Sequence, residues 1–198
     1  DSCTYRRNVF RANGAGIAVM YTRRIEIENN RFESNTGPTA YGLLLKEITD
    51  SRIADNTFRD NTVGLLTEGG GRLDVRGNAF EQNGWAIRLL ANSMGNRFGG
   101  NAFAGNSFDV GTNSRSNYST FEGNWWDRYR GYDLDRDGRG DTGFRPVRLF
   151  GMIVTRHETA TVLLRSTFVD LLDQAERVLP VFTPETLVDA APLMVRPR

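Results

Sequence analysis

The chain has 198 residues, of which 39% are hydrophobic and 25% charged; 25 basic and 24 acidic side chains leave a formal net charge of +1. That balance excludes the strong field expected of a nucleic-acid or anionic-membrane binder. No run of about 18 apolar residues is present to cross a bilayer, and the single cysteine, Cys3, can form no internal disulfide.

From the first residues onward the sequence repeats. Asn-x-aromatic recurs at Asn8/Phe10, Asn30/Phe32, Asn56/Phe58, Asn78/Phe80, Asn101/Phe103 and Asn124/Trp126, at steps of 22, 26, 22, 23 and 23 residues. A second asparagine follows at Asn13, Asn35, Asn61, Asn83 and Asn106, and Tyr129 takes the sixth place. Two apolar columns keep the same register: Tyr5, Ile27, Ile53, Val75, Phe98 and Phe121, and Ile17, Leu43, Leu65, Ile87 and Val110. The one long step places four extra residues within Thr36–Gly42, a Gly/Pro-bearing surface loop.

Between columns, apolar and polar residues alternate, as in Ile25-Glu26-Ile27 and Leu73-Asp74-Val75. That is strand periodicity. A leucine-rich consensus is lacking. Short strands at a fixed period of about 22 residues describe an all-β parallel β-helix of about six coils. At strand spacing, ~4.8 Å per coil, the rod is about 25–30 Å long. The aromatic column is expected to fill the bore. The asparagines are expected at the corners, with left-handed backbone and side-chain amides bonded from coil to coil. Leu43, Leu44, Leu45, Leu65 and Leu66 are expected in the core. The chain opens Asp1-Ser2-Cys3, mid-repeat and without an initiator Met. It reads as a fragment, and the unpaired edge of the first coil calls for further coils or a cap before it.

The repeat occupies residues 1–130. Residues 131–150 form an Asp/Gly loop and an exit segment. Asp133, Asp135, Asp137 and Asp141 stand at positions 1, 3, 5 and 9 of a calcium-type loop, with Gly138 at 6 and the Arg139 carbonyl at 7. Position 12 is Phe144, so the bidentate glutamate and the flanking helices of an EF-hand are missing. Four carboxylates within nine residues repel one another unless a cation sits among them; Arg136 and Arg139 offer the bland alternative of simple pairing. A structural calcium ion is the expectation, pinning the exit against Trp125, Trp126, Tyr129 and Tyr132.

Residues 151–198 read as an amphipathic helical tail. Over Thr161–Leu179 the residues Leu164, Phe168, Leu171, Leu172, Ala175, Val178 and Leu179 share one face, and Pro180 stops the helix. Thr183 and Pro184 look like the cap and first residue of a short second helix at Thr186–Val188. The apolar face must be covered. Either it caps the coils, which the residues alone favour, or it docks in a partner's groove.

The repeats Asn30-Arg31-Phe32, Asn56-Thr57-Phe58 and Asn78-Ala79-Phe80, the strand Val19-Met20-Tyr21, the seam from Asn124-Trp125-Trp126-Asp127-Arg128-Tyr129 to Gly138-Arg139-Gly140-Asp141, and the tail segments Ala175–Pro180 and Val188–Met194 together resemble the NosD family of nitrous oxide reductase maturation proteins, in its C-terminal part. The resemblance implies a right-handed parallel β-helix in the bacterial periplasm. It implies a non-catalytic docking scaffold that works with an ABC-type permease and its ATPase. A copper chaperone lipoprotein and nitrous oxide reductase are implied as further partners, with sulfur and copper delivered to the copper–sulfide centre. It also moves the tail towards an arm that contacts the permease. Copper is implied for the family, yet its soft donors Cys3, Met20, Met94, Met152 and His157 form no tight spacing; Cys3 and Met20 are expected in the core, and no copper ligand is assigned. The rival readings are a β-helix enzyme acting on uronate polymers, using Glu26, Glu28, Arg52, Asp55, Arg72, Asp74 or Arg76, and a carbohydrate-binding module.

Overall fold

The computed structural model describes residues 1–90, 93–114, 118–156, 171–172 and 187–197. Among these, β1 (Thr4–Arg6), β2 (Val9–Arg11) and β3 (Ala15–Met20) make the first coil. The second is β4 (Glu26–Glu28), β5 (Arg31–Glu33) and β6 (Tyr41–Lys46); the third is β7 (Arg52–Ala54), β8 (Thr57–Arg59) and β9 (Val63–Glu68). The fourth is β10 (Asp74–Arg76), β11 (Ala79–Glu81) and β12 (Trp85–Leu90); the fifth is β13 (Arg97–Gly99), β14 (Ala102–Ala104) and β15 (Phe108–Thr112). A sixth coil has β16 (Thr120–Glu122) and β17 (Trp125–Trp126). Equivalent strands pair in parallel, giving two six-stranded sheets and one five-stranded sheet. The chain is thus a parallel β-solenoid.

The sequence columns are the structural register. Tyr5 lies opposite Ile27 and so on to Phe121 in the first sheet, Phe10 to Trp126 in the second, and Ile17 to Val110 in the third. The rings of Phe10, Phe32, Phe58, Phe80, Phe103 and Trp126 stack at centroid spacings of 5.1, 4.8, 4.8, 5.1 and 4.1 Å. The coil repeat and the thickness of an aromatic stack nearly coincide, so one column satisfies both.

The asparagines do more than turn the chain. Asn30 donates its backbone N–H (2.9 Å) and its Nδ2 (3.0 Å) to Oδ1 of Asn56. Asn56 does the same to Asn78, Asn78 to Asn101, and Asn101 to Asn124. The second ladder runs likewise from Asn35 through Asn61 and Asn83 to Asn106. Each Nδ2 also donates to a strand carbonyl, as Asn56 does to Ile27 at 2.8 Å. These side chains are fully buried, and using every polar atom removes the cost of burying an amide. The left-handed backbone falls one residue earlier than expected. Arg7, Asn29, Asp55, Gly77, Gly100 and Gly123 precede the first-ladder asparagines with φ of 56–66°. The preceding residue bends the chain, which frees the asparagine to turn inward.

Alternation also corrects three expectations. Leu43, Leu45 and Leu65 are in the bore; Leu44 is buried as expected, but in the outward row it shares with Leu66, which is only partly buried. Met20 shares the outward row of Lys46 and is exposed. Cys3 precedes Ile25's inward row but lies on the uncovered first coil, so it too is exposed.

Outer faces of the first two sheets carry rows of opposite charge. Arg11, Glu33, Arg59 and Glu81 stand in register, with Arg11–Glu33 and Arg59–Glu81 ion-paired. The next rung is Ala104, and Arg196 reaches in from the C-terminal end to pair with Glu81, its guanidinium 5.7 Å from the Trp125 ring centroid.

The solenoid does not stop at the seam. Val147 bridges Val110 in parallel, supplying one residue of the sixth coil's third sheet. Helix α1 (Leu149–Arg156) then covers the outer face of that sheet, where Phe150 and Val154 pack with Val63, Trp85 and Phe108. Leu187 enters the main core and Asp189 bridges Phe121. Leu187 and Val188 are not helical, contrary to the short second helix expected at 186–188; Thr186 itself lies outside the described residues.

Asp189 ends the first ladder. Its Oδ2 accepts the Asn124 N–H (2.9 Å), the Asn124 Nδ2 (2.9 Å) and the Trp126 Nε1 (3.1 Å), and its Oδ1 accepts the Gly123 N–H (3.0 Å). A terminal rung has donors below it and nothing above to receive a proton, so an acceptor-only carboxylate fits where an amide would aim N–H at N–H. Asp189→Ala is expected to cost on the order of 3–5 kcal/mol in urea unfolding, because buried donors lose their acceptor. Asp189→Asn should be destabilising to a lesser degree; a wild-type midpoint for the Asn variant would show that the Oδ1 contact is dispensable.

Candidate functional site

The aspartate loop is an excursion closed at its neck. Tyr129 leaves the sixth coil and donates its hydroxyl to the Thr142 carbonyl at 2.6 Å. Phe144 lies against Trp126 (5.0 Å) and edge-on to Tyr129 (6.1 Å). Backbone pairs Phe144–Asp189 and Gly140–Pro192, each at 2.8 Å, tie the neck to the returning C-terminal segment.

Within the loop, Gly138 takes φ of 85°, the left-handed turn its position demands. Asp133 accepts the backbone N–H of Asp137 (3.2 Å) and Gly138 (3.0 Å), Asp135 that of Asp137 (3.2 Å), and Asp137 that of Arg139 (2.7 Å). These bonds turn the carboxylates inward. One oxygen each of Asp133, Asp135 and Asp137 lies within 4.8 Å of the others. Asp141 is not in this group; its Oδ2 accepts the Leu134 N–H at 2.6 Å and closes the loop instead. The structure thus brings together three of the four expected carboxylates. Arg139 contributes its N–H to Asp137, and its neighbours Gly138 and Gly140 carry the pairing to Met194 and Pro192.

The trio is the one convergent group of His, Cys and carboxylate side chains among the described residues. Its donors are hard oxygens on a largely exposed loop, which suits calcium, with carbonyls and water completing six to eight ligands. Copper prefers sulfur or imidazole, and the trio offers neither. Cys3, Met20 and Met94 are exposed on coils or corners, Met152 is buried in the core, and Met194, whose N–H donates to the Gly138 carbonyl, is a single thioether beside the loop with none of the other described soft donors next to it. His157 lies outside the described residues. The described donors fit calcium and do not fit copper.

The charged face considered for sugar chemistry is occupied by its own pairs. Arg6 reaches Glu26 (2.8 Å) and Glu28 (3.2 Å), Arg52 reaches Glu28 (3.3 Å), Arg72 reaches Asp50 (2.5 Å) and Arg76 reaches Asp74 (2.6 Å). The Arg72 guanidinium beside Asp50 holds that carboxyl below its usual range. Asp55 borders a shallow depression of about 400 Å³ floored by Gly77, Gly99 and Gly100.

Of the expected partner face, Leu164, Phe168, Ala175, Val178 and Leu179 lie outside the described residues. Leu171 and Leu172 are helical. Leu172 packs on the outer apolar cluster of the third sheet, and Leu171 is 64% exposed. Sequence reasoning missed α1 and Asp189. The row Val63, Trp85, Phe108, apolar on an outward face, was the available signal for α1. Asp189 had none, since it lies 65 residues beyond Asn124 and outside the period.

A family model described as "Periplasmic copper-binding protein (NosD)" matches residues 1–131. The chain is 30% identical to a protein of Stutzerimonas stutzeri named "Probable ABC transporter binding protein NosD", over 91% of this chain and 45% of that one. A protein of the same name from Pseudomonas aeruginosa is 29% identical, over 89% of this chain and 44% of its own length. The chain therefore spans less than half the length of these relatives. The family is periplasmic by its description, and no helix among the described residues is long and apolar enough to cross a membrane.

Calcium at 100 times its dissociation constant should stabilise the parent chain by about 3 kcal/mol, seen as a rise in melting temperature. The double variant Asp135→Asn, Asp137→Asn should melt like the parent without calcium and lose the rise with it. An unaltered melt of the parent across calcium concentrations would remove the ion from this loop.

Proposed function

Because the chain belongs to the NosD family, we propose that it is part of a non-catalytic periplasmic scaffold that docks on an ABC transporter and supports copper and sulfur delivery during maturation of nitrous oxide reductase. The permease and its ATPase are the direct partners in this reading. A copper chaperone lipoprotein and the reductase itself are the proteins served. Calcium in the aspartate loop has a structural role, holding the exit from the last coil.

The observation that carries the scaffold reading is the commitment of the outer charges. Most of the acids and arginines that an enzyme would need free are held in ion pairs, between neighbouring coils or, for Arg76 and Asp74, within one strand. The core is filled by stacked rings and bonded amides, with no group poised for proton transfer on the paired face. Such a rod is a rigid spacer that presents edges, corners and a tail to partners. The depression beside Gly77, Gly99 and Gly100 supports the carbohydrate reading, because it leaves Arg97 and Glu122 beside an accessible backbone floor. Turnover or retention of a uronate polymer that is lost in Arg97→Ala would favour that reading over the scaffold.

The partner face is proposed to be the tail helix, with Leu171 as its accessible apolar side chain. Leu171→Asp in the full-length protein is expected to reduce co-purification with the permease and ATPase several-fold while leaving the melting temperature unchanged. Undiminished recovery of the complex would count against the helix as the docking element.

A further inference from the structure

We infer that Asp109 makes the attachment of the seam to the end of the solenoid sensitive to pH. Asp109 lies on β15 in the row that Gly42, Gly64 and Ala86 occupy in earlier coils. Small residues fill that row elsewhere, and here a carboxylate is enclosed, 2% exposed. It sits where the second asparagine ladder ends. Asn106 has no asparagine above it, since Tyr129 takes that place, and its Nδ2 reaches Asp109 Oδ1 at a long 3.4 Å. This terminal contact is weaker than the four short bonds that Asp189 gives the first ladder.

The groups around Asp109 come from the seam, the ladder and the segment before α1. Arg128 and Arg148 favour its ionised form, and Asp127 opposes it. Arg128 Nη2 donates to the Asn106 carbonyl at 2.6 Å, while its Nη1 is buried with no hydrogen-bond partner. The seam thus lays a guanidinium over the ladder's end without closing a bonded pair. Burial, the largest influence, pushes the Asp109 carboxyl up to about 6, with the Arg128 charge as the main restraint.

The sign follows by linkage. A carboxyl raised above its unfolded value contributes stability that is fully present below the unfolded value, near 4, and is lost as pH rises through about 6. The paired surface acids behave oppositely: Arg11 beside Glu33 and Arg72 beside Asp50 hold those carboxyls low, so their contribution fades in acid. Mild acid, near pH 5, therefore tightens the seam end, whereas the charged faces lose their contribution only in stronger acid, below the ordinary carboxylate range. Arg128 belongs to the seam and Arg148 adjoins α1, so the effect is felt where the chain leaves the coils for its tail.

The test is hydrogen exchange on the full chain between pH 5 and 7.5, corrected for intrinsic rates. Protection of residues 124–130 and 147–150 should rise about tenfold from pH 7 to pH 5, and the rise should vanish in Asp109→Asn. Equal pH dependence in both proteins overturns the inference. Carbon-13 titration of the Asp109 carboxyl in the unaltered chain decides independently, should the variant fold poorly. A midpoint above 5, moving higher in Arg128→Leu, supports the inference, and a midpoint near 4 overturns it.

Discussion

Hydrogen bonding between equivalent residues one coil apart is the constraint on which everything else rests. A buried asparagine is costly unless all its polar atoms are used. Here the requirement is met by the same residue in the next coil, at the same height. That condition forbids drift in the period. It also explains why the four extra residues of the second coil are expelled into a surface loop, leaving Asn35 and Leu43 in register with their counterparts. Stacked rings impose the same spacing from the bore, and alternating charges reinforce it from outside.

A ladder of this kind has two ends, and its end chemistry differs from its middle. The first ladder closes on Asp189, which can only accept. The second closes on a long contact with a buried carboxylate that is still titratable in a useful range. The C-terminal segment is therefore the tie that holds the solenoid's last turn, the neck of the aspartate loop and the row of outer charges through Arg196. Of the tail's described residues, 187–196 close the rod, Leu172 packs on the outer cluster of the third sheet, and Leu171 is exposed.

The additions to this frame differ from it in chemistry. The coils provide rigidity and leave little free chemistry on their paired faces. What is chemically distinctive gathers at the seam: three converging carboxylates, a cluster of aromatic rings, and a charge pair left unbonded. The copper attributed to the family finds no suited donor set among the described residues.

Sequence by itself determined the solenoid, its register, its aromatic bore and its ladders, because each of these is a periodic demand met locally and repeated every 22 or so residues. It also located the aspartate loop, whose spacing is a short-range pattern. The direction of Leu44 and Leu66, the exposure of Cys3 and Met20, and the shift of the left-handed corner by one residue required the fold, since they depend on which coil lies above and which side of a strand faces it. Asp189, Val147 and α1 were decided by tertiary structure alone. They meet their partners once per molecule and across dozens of residues, so no period announces them. Even Asp141, which spacing puts in the same loop, is placed by geometry: one of its oxygens accepts the Leu134 N–H, and it stands apart from the converging trio.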